Sequence, residues 1–300
     1  NPYSAAKAEL GKALFFDARL SGSGQIACAS CHDPDLGWAD GRTTAFGHGR
    51  KALKRNSPAV LNAGLVDKLF WDGRAASLEA QAAAVFANKD EMRADEKAAA
   101  ERLSAVKGYS ELFEEAFGDP AVTTDRAAQA IACFERTVVG GKSRFDAFLR
   151  GKTDLLTDAE VRGLHLFRTD ARCANCHHGP AFSDGRFHDL GLSNYGTEFQ
   201  DVGRYGVTKE PRDAGAFRTP SLRNVTKTAP YMHSGLFDLP TLFLLYNAGM
   251  RNLARGERFK DDPAFPANKS PLLKPLGLNK HDFADLEAFL KSLEEPVRKV

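Results

Sequence analysis

The sequence is sparing with cysteine, with long apolar runs and with any excess of charge. Five cysteines in 300 residues are too few for a disulfide-built scaffold. No apolar run reaches the ~18–20 residues of a membrane-spanning helix, so no membrane span is expected. Forty-one Lys and Arg against 39 Asp and Glu leave a net charge of +2 with the two signs interspersed, which argues against nucleic acid as a partner. Neither Met nor a signal-like apolar stretch stands at the start, Asn1-Pro2-Tyr3, and the expectation is that a presequence has been removed. What is present is 43% hydrophobic and 27% charged residues, enough to bury a core and incompatible with intrinsic disorder. The length exceeds that of an ordinary single domain, so two are expected.

The few cysteines are not scattered. Cys28-Ala29-Ser30-Cys31-His32 and Cys173-Ala174-Asn175-Cys176-His177 are two copies of C-x-x-C-H, one in each half. The spacing has a chemical reason: two thiols three residues apart can add to the two vinyl groups of one haem, and the adjacent imidazole then meets the iron axially. A zinc site would instead need both pairs to converge as four thiolates, and a redox dithiol needs no following histidine and sits near a βαβ pattern that neither pair has. The duplicated motif therefore reads as two covalently bound haem c groups, held by Cys28, Cys31 and His32 and by Cys173, Cys176 and His177. Cys133, within the apolar stretch Ala127 to Phe134, reads as a buried thiol.

Helical patterns dominate, over 77–86, 97–106, 109–117, 125–138 and, near the end, 282–293, with Thr123, Thr124 and Asp125 as N-cap candidates. Thr157-Asp158-Ala159-Glu160 is a capping-box pattern opening a helix that runs to the second motif. Between helices lie long loops, such as Asp33 to Pro58 and Gly179 to Arg223, with few alternating apolar runs. Before each motif stands G-x-x-L-F, as Gly11 to Phe15 and as Gly163 to Phe167, with a glutamate shortly ahead of each glycine (Glu9 and Glu160), evidence of internal duplication in which the glycine permits close helix approach. The expected fold is mainly α: two c-type cytochrome domains with long loops, one haem each, divided as residues 1–150 and 151–300.

Each motif histidine fills one of two axial positions on its iron. Candidates for the others are the histidines at 48, 165, 178, 188, 233 and 281, the methionines at 92, 232 and 250, and the tyrosines. His48 lies between Gly47 and Gly49, so it reads either as a ligand able to leave and open the iron or as a solvated loop residue. His165 and His281 fall on helical patterns and His178 merely follows a ligand; all three read as non-ligands.

The chain resembles the bacterial di-haem cytochrome c peroxidases and their MauG-like relatives over nearly its whole length. The resemblance rests on both motifs, on Asn56 to Asn62 (NSPAVLN), Phe70 to Ala75 (FWDGRA), Gln81 through Glu91-Met92, Arg218 to Val225 (RTPSLRNV) and Thr228 to Gly235 (TAPYMHSG). It implies a peroxidatic, low-potential haem at His32 with His48 as its dissociable distal ligand, and an electron-transfer haem at His177. Glu91 matches the acid/base carboxylate of the first pocket, Gln81 its polar neighbour, and Trp71 the indole between the haems. Asn56, Thr228 and Pro230 match a calcium site, oxygen donors suiting a hard cation. Hydrogen peroxide as substrate, a small donor protein such as cytochrome c or a cupredoxin, and a periplasmic location are implied, and a homodimer is left open.

Two departures matter. Val85 stands where the family usually has proline, four residues after Gln81. The second axial ligand of the His177 haem is either Tyr246, as in MauG-like proteins, or Met250, as in the peroxidases. The two are i and i+4 and would share a face if helical, and Tyr246 is closer to the family's spacing from His233. Thioether raises the potential, whereas phenolate favours ferric or higher states. The first reading is thus a cytochrome-c peroxidase. Its alternatives are a MauG-like oxidase acting on a protein through high-valent iron and a non-catalytic di-haem electron carrier, which would need none of Glu91, Gln81 or a removable His48.

Overall fold

A computed structural model describes residues 1–296. Among the described residues ten α-helices carry the fold: α1 (Ala5–Phe15), α2 (Leu78–Ala87), α3 (Glu96–Ser104), α4 (Lys107–Phe117), α5 (Thr124–Glu135), α6 (Arg144–Phe148), α7 (Asp158–Arg168), α8 (Tyr205–Thr208), α9 (Leu239–Asn247) and α10 (Lys280–Ser292). Their starts follow from short polar side chains that accept otherwise orphaned N–H groups: Ser4, Ser77, Thr123 and Asp238 cap α1, α2, α5 and α9, and the expected capping box of Thr157 and Glu160 opens α7. The long loops are largely irregular, as expected. One feature of theirs was not: a short antiparallel pair, β1 (Phe187–Asp189) with β2 (Ala216–Arg218), folds the 179–223 stretch back on itself.

Two helix pairs form the frame, α1 against α5 and α7 against α10. In each the glycine of G-x-x-L-F is the point of near contact. A Cβ on Gly11 would sit 1.9 Å from the Ala130 carbonyl oxygen, and one on Gly163 would sit 1.9 Å from that of Asp285. Behind each C-x-x-C-H motif the paired helices bury three aromatic rings. Phe15, Trp38 and Phe134 have centroids 5.2–6.1 Å apart. Phe167, Phe182 and Phe289 repeat the arrangement at 5.1–6.2 Å. Edge-to-face and tilted packing of this kind adds roughly 0.5–1.5 kcal/mol per pair to area burial. The first core adds Leu10, Leu14 and Ile131; the second adds Leu286, Leu293 and Phe145, which α6 contributes from ahead of residue 150. Cys133 is fully buried on α5, an ordinary core thiol.

The halves meet through a buried ion cluster. Arg55 donates to both oxygens of Asp201 at 2.7 and 2.8 Å and to Asp72 at 2.6 Å. A further bond between the halves runs from Asn62 of the first to Glu295 of the second at 2.9 Å.

Because the methyl of an alanine has nowhere to go between α7 and the Asp285 backbone, Gly163→Ala is expected to lower unfolding stability by at least the ~1–3 kcal/mol of an overpacked core. Gly108→Ala, on α4 where an added Cβ meets nothing within 4 Å, is the control and should be neutral or slightly stabilising. Urea titrations of the two variants decide; equal midpoints would show that the α7/α10 contact is not tight.

Candidate functional site

Both C-x-x-C-H motifs open onto one continuous cavity of about 1470 Å³. That exceeds the ~300–1,000 Å³ of an ordinary small-molecule pocket. Cys28–Ser30 and Cys173–Asn175 are single 3₁₀ turns, which carry the second thiol and the histidine round to the same side. His32 Nδ1 faces the Trp38 carbonyl at 3.3 Å and His177 Nδ1 the Phe182 carbonyl at 2.9 Å. A backbone carbonyl on Nδ1 fixes the tautomer and leaves Nε2 available to a metal. Burial holds both imidazoles below the ordinary histidine pKa, and hence neutral, although neighbouring carbonyls and the carboxylates of Asp40 and Asp184 act the other way.

Burial also raises all four motif thiols, Cys31 and Cys176 to about 11 and Cys173 to about 12. Such thiols are poor nucleophiles in disulfide exchange. Nor do the pairs converge: among the described residues the one cluster with metal-ligand spacing is Cys176, Asp184 and His188, with a single cysteine. The zinc and dithiol alternatives have no support here.

Around the first motif, Gln81 and Val85 on α2 and Glu91 in the turn after it line the cavity. Glu91 is half-buried, and its carboxyl is held above the ordinary range, chiefly by burial, with Arg74 and the Asn88 side chain opposing and Asp90 adding. Val85 keeps α2 regular through to Ala87. His48 is not on the cavity wall; its N–H donates to the carbonyls of Asp90 and Glu91 at 2.9 and 2.8 Å, and its Nδ1 is buried without a partner. Gly47 answers a packing need rather than mobility, since a Cβ there would lie 1.9 Å from the Asp90 carbonyl oxygen.

Around the second motif, Tyr246 lines the cavity, and the surrounding protein together with Cys173 and Cys176 pushes its phenol above the ordinary value. Met250 does not line it. The expectation that the two share a helical face fails: α9 ends at Asn247, Gly249 takes φ +79° and Met250 φ +61°, so the chain turns away before the thioether. His165, His178 and His281 are exposed or at the surface of their turns and helices, away from the cavity wall.

Between the motifs, Trp71 donates from Nε1 to the Asn56 carbonyl at 2.9 Å and meets His233 edge-on at 6.4 Å; His233 stacks on Phe217 at 3.6 Å. Asn56 donates its N–H to the His233 carbonyl and its Nδ2 to the Arg42 carbonyl, both at 2.8 Å, which leaves Oδ1 free. Asn56, Thr228 and Pro230 all line the cavity wall.

His188, one of the axial candidates, pairs instead with Asp184 at 2.8 Å beside His177. Two groups of the site were not singled out from sequence. Arg218 lines the cavity between the halves, its Nε buried without a partner and its pKa lowered by burial with no carboxylate opposing. Glu135, on α5, is fully buried and lines the cavity near Cys28. Only Glu135 left a trace in the sequence, a carboxylate four residues after Ile131 on the apolar face of a helix.

Residues 5–154 match the family of di-haem cytochrome c peroxidases. The chain is 37% identical to cytochrome-c peroxidase IdrP1 of Pseudomonas sp. (strain SCT), over 99% of its own length and 83% of that protein's. It is 40% identical to methylamine utilization protein MauG of Methylorubrum extorquens, over 98% and 80%. A crystal structure of a MauG-like protein associated with microbial copper homeostasis superposes with a TM-score of 0.88 at 34% identity, covering 98% of this chain and 91% of that one. The chain belongs to the di-haem cytochrome c peroxidase family. Membership implies two haem c groups, and the residues fit them: paired thiols with an oriented imidazole occur twice, and the Arg218 guanidinium, bonded only to the Thr219 carbonyl at 3.3 Å and with no carboxylate partner among the described residues, suits a carboxylate such as a haem propionate. No helix among the described residues is long and apolar enough to cross a membrane.

A pyridine haemochrome assay on the denatured holoprotein is expected to give two haems per chain, falling to one when Cys173 and Cys176 are both replaced by alanine. A value of one for the unaltered chain would contradict the site described.

Proposed function

We propose that the protein is a peroxidase that reduces hydrogen peroxide to water on the His32 side of the cavity, drawing two electrons and two protons per peroxide. The electrons come from a small periplasmic donor, a cytochrome c or a cupredoxin, and travel from the His177 side by way of Trp71. The observation that carries this reading is Glu91, a desolvated carboxyl on the same cavity wall as His32, with Gln81 nearby. An electron carrier has no use for it. The bound haems supply the redox-active iron. Glu91 takes a proton from one peroxide oxygen and returns it to the departing one, while the Gln81 amide, donor and acceptor at once, orients the molecule. His48, its Nδ1 unpartnered and its loop tied to the Glu91 backbone, would act as the dissociable ligand in this scheme only once that loop carries it onto the cavity wall. The indole of Trp71, fixed by its bond to Asn56, joins the two sides.

The free Oδ1 of Asn56, with the carbonyls of Thr228 and Pro230, supplies hard oxygen donors for calcium at the joint between the halves. The repeated glycine contacts and aromatic trios support descent of the halves from one haem-binding unit. With Phe145 in the second core, the division is better drawn ahead of α6 than at residue 150.

A second reading is favoured by Tyr246. If it is the second axial ligand at the His177 haem, as its place on the wall and the turning away of Met250 support, phenolate ligation favours the higher oxidation states used by a MauG-like oxidase acting on a protein substrate. Near-infrared absorption separates the options. A His/Tyr ferric haem lacks the sulfur-to-iron band of a His/Met haem, so the expected spectrum has no such band. A band lost in Met250→Leu and kept in Tyr246→Phe would reverse the assignment.

For the proton shuttle, Glu91→Gln is expected to lower peroxide turnover by ~10²–10⁴-fold with both haem spectra intact. The base form must be ionised to accept the first proton, so activity of the unaltered enzyme should fall as pH drops through a pKa above the ordinary carboxylate value, and the variant should lack that limb. Unchanged turnover would remove Glu91 from the mechanism. Steady-state oxidation of reduced cytochrome c by peroxide tests the peroxidase reading itself. Peroxide consumption without donor oxidation would favour the second.

A further inference from the structure

Glu135 is difficult to explain as part of the scaffold. It is 5% exposed, its Oε2 has no hydrogen-bond partner, and it lines the cavity beside the first motif. A buried, unpaired carboxyl costs stability unless something compensates. The second half shows what the position requires structurally. Gly11 rests on Ala130 and Gly163 on Asp285, and the aromatic ring four residues further along is Phe134 in one case and Phe289 in the other. The next residue is Glu135 in the first half and Leu290 in the second, and both are buried on the cavity wall. Leucine therefore satisfies the packing, and only the first half has a carboxyl there. Correspondingly, the Cys28 thiol feels the charge of Glu135, whereas no carboxylate acts on Cys173.

The groups facing Glu135 are Glu79 of α2, Arg136 of its own helix and Cys28 of the motif. Arg136 is already engaged with Glu79 at 2.6 Å, as is Asn1 at 2.7 Å, so neither is committed to Glu135. Burial first, and Glu79 second, push the Glu135 carboxyl up to about 8, with Arg136 opposing.

Resting on the reading of Cys28, Cys31 and His32 as a haem site, we propose that Glu135 is the proton partner of that haem, taking up one proton when its iron is reduced and releasing it on oxidation. The balance is one electron from the donor protein to ferric iron, giving ferrous iron, and one proton from solvent to the Glu135 carboxylate, giving the acid; no bond to iron is made or broken. The sign follows from charge. Ferric iron in a porphyrin dianion carries a net positive charge that favours the carboxylate, ferrous iron carries none, and burial then favours the acid. Glu135 thus keeps the charge of the first pocket constant through the redox step, a service the apolar Leu290 cannot offer the second haem.

The test is a potentiometric titration of the holoprotein at a series of pH values, with the two haems followed separately by electron paramagnetic resonance. In the unaltered protein the His32 haem should show a pH-dependent potential just below pH 8, approaching a tenfold change in its reduction equilibrium per pH unit, about 59 mV for one electron. In Glu135→Gln, and in Glu135→Leu, which imitates the other half, that dependence should vanish while the His177 haem is unchanged. Persistence of the slope in both variants, or a flat response in the unaltered protein, overturns the role of Glu135. Absence of a haem at Cys28 and Cys31 in the pyridine haemochrome assay would instead overturn the underlying site, and this proposal with it.

Discussion

The alignment of the two halves rests on one guanidinium. Arg55 holds Asp201 with two bonds and Asp72 with a third, and lies 5.6 Å from the centre of the Phe217 ring. A buried cluster of this kind contributes little net stability compared with apolar packing, yet removing one partner leaves an unpaired charge and costs about 3–5 kcal/mol. Its value is positional. Asn56 follows Arg55 and Trp71 precedes Asp72, so both residues between the motifs are anchored by their neighbours' charges before making any contact of their own. The indole bond to the Asn56 carbonyl then closes a small loop of constraints across the joint.

Within each half the same construction is used twice and then made unequal. Glycine-mediated helix contact, three aromatic rings and a carbonyl on the proximal imidazole recur with different side chains in the same places. The differences concentrate where a haem face would be. Val85 and Tyr246 are each the eighth residue of a serine- or aspartate-capped helix on the cavity wall, a small aliphatic group in one case and a phenol in the other. On the reading proposed above, the first would leave room for a small molecule and the second would offer a ligand. Functional asymmetry between two like halves needs only a few such exchanges, because the scaffold positions tolerate them.

Much of this was legible in residues with a single strong chemical meaning. C-x-x-C-H, the capping box at Thr157 and the glycine of G-x-x-L-F each declare a local geometry, and each is found in it. Tyr246 and Met250 show the limit. Their spacing is helical, but Asn247-Ala248-Gly249 also spells a helix end, and the glycine with positive φ prevailed over the period. The flanking Gly47 offers freedom on sequence, but its use is close approach, a distinction that depends on what lies opposite, here the Asp90 backbone further along the chain. Arg55 and the β1/β2 pair are invisible in sequence because their partners are distant along the chain and no local pattern encodes a pairing between loops.

Arg74 stacks over Phe70 at 3.4 Å, shares Asp72 with Arg55 and lowers the pKa of Glu91. A single cation is therefore shared by the joint between the halves and by the carboxyl proposed above as the proton shuttle. Loosening the joint would free Asp72 to draw Arg74 closer or release it, and the acidity of Glu91 would follow. Mechanical coupling between the halves and the acid strength of the pocket are in this way two expressions of one charge.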